Sequence, residues 1–258
     1  MIKKLDFKIT SNETLNKQTF LLKVTPVNGE ILHDAYPGQF VQLWIPDSSS
    51  IFLRRPLSIN YYDKENNEIW LLIQSVGGGT KKITEMKVGE SIDLLFPLGN
   101  KFSMPKNNQK TLLIGGGVGT APLLFLGKVL KENGHVPEFL LGGRSALDIT
   151  QIEDFEKLGA VHTTSEDGSI GEKGLITHHS VLKTKQFDKI YTCGPRPMMM
   201  AISQYASHNN IECEVSLENH MPCGFGACLC CIEDTKRGNI CVCTEGPVFN
   251  INELKWID

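Results

Sequence analysis

The chain has 258 residues, 41% of them hydrophobic and 21% charged, enough for two modest domains and an appendage. A net charge of −3 gives no case for nucleic-acid binding or for a basic membrane patch. The opening Met1-Ile2-Lys3-Lys4-Leu5-Asp6 has no apolar stretch of the signal-peptide kind, and the uncharged run Thr111 to Gly127 is too short and Gly-rich to span a bilayer, so the eight cysteines point to a reducing cytoplasm.

Residues 1–101 read as all-β. Short runs rich in β-branched and aromatic residues recur at Phe20 to Val24, Phe40 to Ile45, Leu57 to Tyr62, Ile69 to Gln74 and Ser91 to Phe96. Turn signals separate them at Asn28-Gly29, Pro37-Gly38, Asp47-Ser48-Ser49-Ser50, Asp63 to Asn67 and Val88-Gly89. This spacing suggests a small barrel or sandwich. Two pieces inside it carry chemistry. In Arg54-Arg55-Pro56-Leu57-Ser58-Ile59 a guanidinium can fork a pyrophosphate, and a strand serine can meet a flavin ring edge. In Val76-Gly77-Gly78-Gly79-Thr80, glycines open into a short helix expected from Thr80 to Met86, which frees N–H groups for a phosphate. Each is also compatible with an ordinary surface turn or flexible loop.

Residues 102–214 change pattern. Thr111-Leu112-Leu113-Ile114 reads as a buried strand, followed by Gly115-Gly116-Gly117-Val118-Gly119-Thr120-Ala121-Pro122 and an apolar helix, Leu123 to Lys131. Strand, Gly-rich turn and helix is the dinucleotide-binding arrangement, in which small residues let backbone approach a pyrophosphate. Pro122 stands where G-x-G-x-x-G would place a later glycine. Further strands are expected at Glu138 to Leu141, Ala160 to Thr164 and Lys189 to Thr192, with crossover helices between them, the signature of a parallel sheet. The last strand runs into Cys193-Gly194-Pro195-Arg196-Pro197-Met198, which places Cys193 at a strand's carboxyl end, where ligands bind in such sheets. A small buried thiol is the competing reading of Cys193. Arg144 and Ser145 after the Phe139-Leu140-Leu141 strand could hold a 2′-phosphate, so NAD and NADP both stay open.

Residues 215–258 hold the densest chemistry. Seven of the eight cysteines lie between residues 213 and 243. Cys223, Cys228 and Cys231 give C-x4-C-x2-C, and a fourth cysteine follows, the plant-type ligand spacing of a [2Fe–2S] cluster. Gly224 and Gly226 suit a loop that wraps inorganic sulfide. A structural zinc site would use the Cys228–Cys231 knuckle, but Cys241-x-Cys243 is the wrong spacing for its second pair. A disulfide framework would need an oxidising compartment. Cys241 and Cys243 point the same way in extended chain, so both compete for the fourth position.

The order of these motifs, Arg-x-x-Ser, then Gly-Gly-Gly-x-Gly-x-Ala-Pro, then Cys-Gly-Pro, resembles the ferredoxin–NADP reductase superfamily. The C-terminal Ser216-Leu217-Glu218, the four-cysteine run and Gly246-Pro247-Val248-Phe249 after Cys243 narrow the resemblance, over essentially the whole chain, to the electron transfer subunits of type B dihydroorotate dehydrogenase. The resemblance implies an FAD-binding antiparallel β-barrel, a Rossmann-like NAD-binding α/β domain and a small [2Fe–2S] domain. It implies cluster ligands at Cys223, Cys228, Cys231 and Cys243. Its FAD contacts fall on Arg55, Pro56, Leu57, Ser58, Leu72, Ile73, Gln74, Gly79 and Thr80, with Ser58 orienting the reactive flavin edge. Leu57 departs from the aromatic that superfamily members often place there. For the nucleotide, Gly115, Gly117, Gly119, Cys193 and Gly194 are expected, with Cys193 beside the nicotinamide. The implied partner is an FMN-containing TIM-barrel subunit that oxidises dihydroorotate, with two copies of each chain in a heterotetramer. Cys230 and Cys241 are additional and take no role. The alternatives are a flavin reductase subunit serving a ferredoxin or hydrogenase, and a zinc-stabilised adaptor.

Overall fold

The computed structural model describes residues 2–32, 35–46 and 51–257, so the expected turn Asp47 to Ser50 lies outside the described residues. The first third is a closed antiparallel barrel in the order β1-β2-β5-β4-β3-β6. Its strands are β1 (Lys3–Thr14), β2 (Thr19–Pro26), β3 (Phe40–Leu43), β4 (Arg55–Asp63), β5 (Glu68–Gln74) and β6 (Ser91–Leu98), with the short helix α1 (Gly78–Thr84) between β5 and β6. Alternating residues drive closure: Phe7, Ile9, Leu22, Val24, Ile59, Leu71, Ile73, Ile92 and Leu94 turn inward and are at most 2% exposed. The N-terminal β1 was not among the expected strands, because its polar-rich Lys3–Thr14 buries only Phe7 and Ile9. Strand β3 stops at Leu43 rather than Ile45, and α1 starts at Gly78 and ends at Thr84 rather than running from Thr80 to Met86. Glycines are poor inside a helix but cost less in its first turn, where N–H groups are unpaired anyway.

The second unit is a seven-stranded sheet in the order β10-β9-β8-β7-β11-β12-β15. In chain order it contains β7 (Thr111–Gly116), α2 (Ala121–Glu132), β8 (Glu138–Gly143), α3 (Ile152–Glu156), β9 (Ala160–Ser165), β10 (Glu172–Lys173), α4 (Val181–Thr184), β11 (Lys189–Cys193), α5 (Arg196–His208) and β12 (Glu212–Ser216). These strands pair in parallel, and β7, β8 and β11 are buried along nearly their whole length because helices cover both faces. The C-terminal segment adds a hairpin, β13 (Ile232–Thr235) and β14 (Gly238–Cys241), the single turn α6 (Val242–Glu245) and β15 (Val248–Asn250). Strand β15 pairs antiparallel with β12, so the cysteine-rich segment ends inside the nucleotide-domain sheet. The polar sequence of β12 and the three-residue length of β15 hid both from periodicity.

Three contacts position the site. Asn60 of β4, fully buried, donates to the carbonyl of Ala121 at 3.2 Å and exchanges hydrogen bonds with Gln151 at 3.1 Å, which ties the barrel to the start of α2. Tyr62 and Phe125 meet edge to face at 6.4 Å on the same boundary. Asn100, in the connector between barrel and sheet, donates to the carbonyls of Glu245 at 2.9 Å and Val248 at 2.8 Å, which fastens the chain just beyond Cys243.

Candidate functional site

The barrel contributes the first wall. Arg55, Pro56, Leu57 and Ser58 open β4 and are all half-buried, so a ligand can reach their side chains. The Arg55 guanidinium donates to the carbonyls of Leu53 at 2.7 Å and Arg54 at 3.2 Å, and it lies across Gly79: a Cβ there would come within 2.5 Å of Nε and 2.8 Å of Cζ. Gly79 is thus the space in which the guanidinium rests. The Thr80 hydroxyl closes its own turn, accepting from the N–H groups of Val76 and Gly77 at 3.1 Å. Leu72 is 4% exposed against Leu21 and Ala121, and Ile73 is in the barrel core, so either could meet a ligand only through its main chain; Gln74 is half-buried. This cradle fits a flavin dinucleotide: a forked cation for the diphosphate beside a strand edge of half-buried side chains.

The nucleotide wall is where β7 and β11 end side by side, with Gly115 opposite Cys193. The turn after β7 and the turn after β11 touch backbone to backbone: a Cβ on Gly119 would sit 2.4 Å from the Gly194 Cα. Only glycine permits that approach, and it brings Gly115, Gly117, Gly119, Cys193 and Gly194 to one edge of the sheet. The Cys193 thiol is fully buried and faces the Glu218 carboxylate at 3.9 Å. Burial, then the Glu218 charge, pushes the thiol well above its usual range, so Cys193 is a neutral thiol and not a thiolate nucleophile. Glu218 stands at the mouth of a cavity of about 130 Å³ beside Gly194, Pro195 and Leu217; its side chain meets solvent yet is ringed by protein, which raises its carboxyl above the ordinary value while the Cys193 thiol partly offsets this. Beyond β8, Asp148 takes up the Arg144–Ser145 pair: its carboxylate accepts from the Ser145 N–H at 2.9 Å, the Ser145 hydroxyl at 3.1 Å and Arg144 Nη2 at 3.4 Å.

The cysteine loop forms the third wall. Among the described residues no three His, Cys, Asp or Glu side chains gather round a single ion-sized point. The thiols instead line a loop whose amides face sulfur. The Gly226 N–H donates to Cys243 Sγ at 3.2 Å and the Cys243 N–H to Cys231 Sγ at 3.5 Å. Burial alone would raise the Cys223 thiol, but the N–H groups of Phe225 and Cys228, the Cys228 thiol and the Ala227 N–H more than offset it and bring it down to about 6. Cys243 is pushed up to about 12, first by burial and then by the neighbouring Cys231 thiol. Four cysteine sulfurs, three of them (Cys223, Cys231 and Cys243) with backbone donors, fit a cluster, which needs deprotonated thiolates and N–H groups on its sulfur. Cys231 and Cys243 are buried, Cys223 is half-buried and Cys228 exposed; Cys230 is exposed, and its thiol leans on the carbonyl of Cys228 at 3.6 Å. Cys241 is half-buried and also neighbours Cys231, whose charge adds to burial in raising its thiol.

Gln42, Asp148 and Glu218 were absent from the expected contact set. Ser145-x-x-Asp148 is a capping-box spacing, a signal that could have placed Asp148 on its turn. Glu218 is the only acid between β12 and Cys223. Nothing local marks Gln42.

The chain's relatives agree with this arrangement. A family model of the iron–sulfur cluster binding domain of dihydroorotate dehydrogenase B matches residues 218–255. The dihydroorotate dehydrogenase B (NAD(+)) electron transfer subunit of Shouchella clausii (strain KSM-K16) is 37% identical over 235 residues, covering 88% of this chain and 90% of that one. Its counterpart from Lysinibacillus sphaericus (strain C3-41) is 34% identical over 255 residues, covering 96% of this chain and 97% of that one. Among solved structures, an NADH-dependent reduced ferredoxin-NADP oxidoreductase superposes with a TM-score of 0.86 at 28% identity, over 97% of this chain and 90% of that one. With its barrel, nucleotide sheet and cysteine-bearing C-terminal segment, and with identities above 30% over nearly its whole length, the chain belongs to the family of dihydroorotate dehydrogenase B electron transfer subunits.

Proposed function

We propose that this chain carries electrons from a dihydroorotate-oxidising partner through a [2Fe–2S] cluster and FAD to NAD+, in the pyrimidine (UMP) pathway. One observation carries the reading: strand β4, with Arg55 to Ser58, is flanked on both sides. Asn60 joins it to the nucleotide turn at Ala121, and its neighbour β3 touches the cysteine loop through Gln42. When bound, FAD supplies the exchange between single electrons and a hydride that a cluster on one side and NAD+ on the other require.

The chain's own residues prepare that exchange. Cys223, Cys228, Cys231 and Cys243 hold the cluster, and the Gly226 N–H stabilises negative charge on sulfur. Arg55 would anchor the FAD diphosphate, with Gln74 and the Gly79–Thr80 turn beside it, and Ser58 would orient the reactive flavin edge. Gly115, Gly117, Gly119 and Gly194 admit the second dinucleotide. Cys193, kept neutral, packs at the nicotinamide position. The Asp148 carboxylate on Arg144 and Ser145 disfavours a 2′-phosphate and can accept from a 2′-hydroxyl, which supports NAD over NADP.

No acid–base pair suited to dihydroorotate oxidation is evident among the described residues, and substrate chemistry is assigned to an FMN-containing TIM-barrel partner, two of each chain forming a heterotetramer. Phe225 and Leu229, 52% and 62% exposed on the cysteine loop, are the docking face. No helix among the described residues is long and apolar enough to cross a membrane, and the reading places the complex in the cytoplasm. A second reading, reductase to a ferredoxin, is favoured by the extended match to the ferredoxin-NADP oxidoreductase. Co-expression separates the two. With the TIM-barrel partner, dihydroorotate should drive NAD+ reduction that neither chain gives alone. Equal NADH-linked turnover with ferredoxin, and none with dihydroorotate, would refute the proposal.

A further inference from the structure

We infer that Gln42 is a positioning residue that seats the cluster-binding loop on the flavin strand, and so sets how well the two redox sites communicate. The inference rests on the cluster and flavin assignments above and goes beyond them, because Gln42 is itself neither an assigned cluster ligand nor an assigned flavin contact.

Gln42 lies mid-strand in β3 and is fully buried. Its Cα is paired with Pro56 of β4 on one side and with Leu95 of β6 on the other. From that position its carboxamide Nε2 donates to the carbonyl of Met221, two residues before Cys223 and 179 positions away in sequence. The loop also rests on the Gln42 side chain. Gly224, at a φ of +81°, leaves room where a Cβ would come within 2.7 Å of Gln42 Cγ and 3.2 Å of Nε2. Phe40 and Leu98 of the barrel belong to the same apolar cluster as Met221, Cys231 and Cys243, so the amide is a polar pin inside an otherwise apolar contact. On the strand's main chain, Arg54 Nη1 donates to the Gln42 carbonyl at 3.0 Å while Arg54 Nη2 pairs with Asp93 at 2.6 Å, so the entry to the flavin motif is locked to the same residue.

The energetic cost identifies the amide's role. Gln42 Oε1 is buried and has no hydrogen-bond partner among the described residues. The buried, unpaired Oε1 costs stability, and leucine or methionine would remove that cost only by leaving the buried Met221 carbonyl without its donor. On stability the two choices largely cancel. What the amide supplies and an apolar residue cannot is direction: one donor aimed at one carbonyl fixes the height and rotation of residues 221–224 over β3. Strand β3 shares its ladder with Arg55 to Ser58, so that placement is transmitted rigidly to the flavin edge. Apolar packing of Phe40 and Leu98 would hold the loop down while leaving it free to slide.

The test uses the full-length chain reconstituted with FAD, iron and sulfide, and two variants. Gln42→Met keeps length and volume but removes the donor. Gln42→Glu keeps shape but sets an anionic acceptor against the Met221 carbonyl. Both are expected to retain FAD and to keep NADH-to-dye turnover within twofold of the parent. Iron release to a chelator should be at least fivefold faster, and NADH-driven reduction of the cluster, followed in stopped flow, at least tenfold slower. The electron paramagnetic resonance line shape of the reduced cluster should broaden, a readout that packing elsewhere in the barrel would not move. Unchanged iron release and unchanged cluster reduction in Gln42→Met overturn the inference. If that variant loses FAD as well, Gly224→Ala decides, since its Cβ lifts the same loop from the other side: the same defects support the seating role and their absence overturns it. A parent protein that holds no iron–sulfur cluster would instead refute the functional reading itself, which keeps the two failures apart.

Discussion

Gly79→Ala separates the fold from the flavin site. The new Cβ would lie 2.5 Å from Arg55 Nε, 2.7 Å from Nη2 and 2.8 Å from Cζ, so the guanidinium must move by about 1 Å or swing away. What moves is the tip of a flexible side chain, held among the described residues by two carbonyls, those of Leu53 and Arg54. The fold therefore loses little. Alanine in place of glycine in the first turn of α1 even favours the helix, by up to about 1 kcal/mol. The flavin loses more. Charge-assisted hydrogen bonds contribute about 1.5–3 kcal/mol each, so displacing the diphosphate anchor should weaken FAD by about 10- to 150-fold. The assay is FAD titration of the flavin-free protein by fluorescence quenching, with thermal melting of the same protein alongside. An unchanged or slightly raised melting temperature together with the weakened Kd is the expected pair of results. Arg55→Ala should give a similar loss, and the double variant no further loss, because both substitutions remove one anchor. A Kd within threefold of the parent, or additive losses in the double variant, would refute the assignment of Arg55 as the anchor.

Three further outcomes follow from the same geometry. Cys228→Ser should cut dihydroorotate-linked NAD+ reduction more than about 100-fold while NADH-to-dye turnover stays within about twofold, since only the first route crosses the cluster; steady-state assays of the complex with its partner decide it, and equal loss of both activities argues for a structural site. Asp148→Asn removes the charge facing a 2′-phosphate, which should shift the ratio of kcat/KM for NADPH over NADH upward by about tenfold, or about 1–2 kcal/mol of relieved repulsion. Glu218→Gln bears on pH: the carboxyl is raised in the fold, so its contribution is fully present below the unfolded value near 4.5 and is lost as pH rises through the folded one. The variant should melt higher than the parent at pH 7–8 and level with it near pH 4; a difference independent of pH sinks the argument.

Much of this architecture is legible in residue order because the physics there is local. Barrel strands β2, β4, β5 and β6 announce themselves by alternation, and Leu112 to Gly119 by an apolar run that breaks into glycines. The cysteine spacing is equally local, since a cluster's ligand geometry is set within a dozen residues. What stays hidden is non-local. Strand β1 is polar on most of its length, buries only Phe7 and Ile9, and owes its place largely to pairing with β2 and β6. The glutamate of β12 that faces Ser103 and Lys189 reads as a surface residue until the fold buries it to 7% exposure. Gln42 meets its partner 179 positions away, and no window on the sequence contains both.

Reading the chain as segments 1–101, 102–214 and 215–258 is a division by chemistry, and we propose that the protein works because its covalent and hydrogen-bonded continuity ignores those cuts. Separate domains joined by linkers rock against one another unless the interface is large and apolar. Electron transfer between fixed sites tolerates little of that motion. Here the segment that carries Cys243 continues at once into β15, whose hydrogen bonds make it the edge of the nucleotide sheet. Asn100, from the other side, bonds both ends of the same stretch and draws in the connector that leaves the barrel. Arg196, directly after the Cys193–Gly194 turn, forks the buried carboxylate of Glu233 in β13, which also accepts from Asn219 at 3.1 Å and from the Trp256 indole at 3.4 Å. Cluster segment, nucleotide sheet and the connector that leaves the barrel are therefore braced by three ties. A change that frees one of them should alter the rate between redox sites before it alters the stability of the whole.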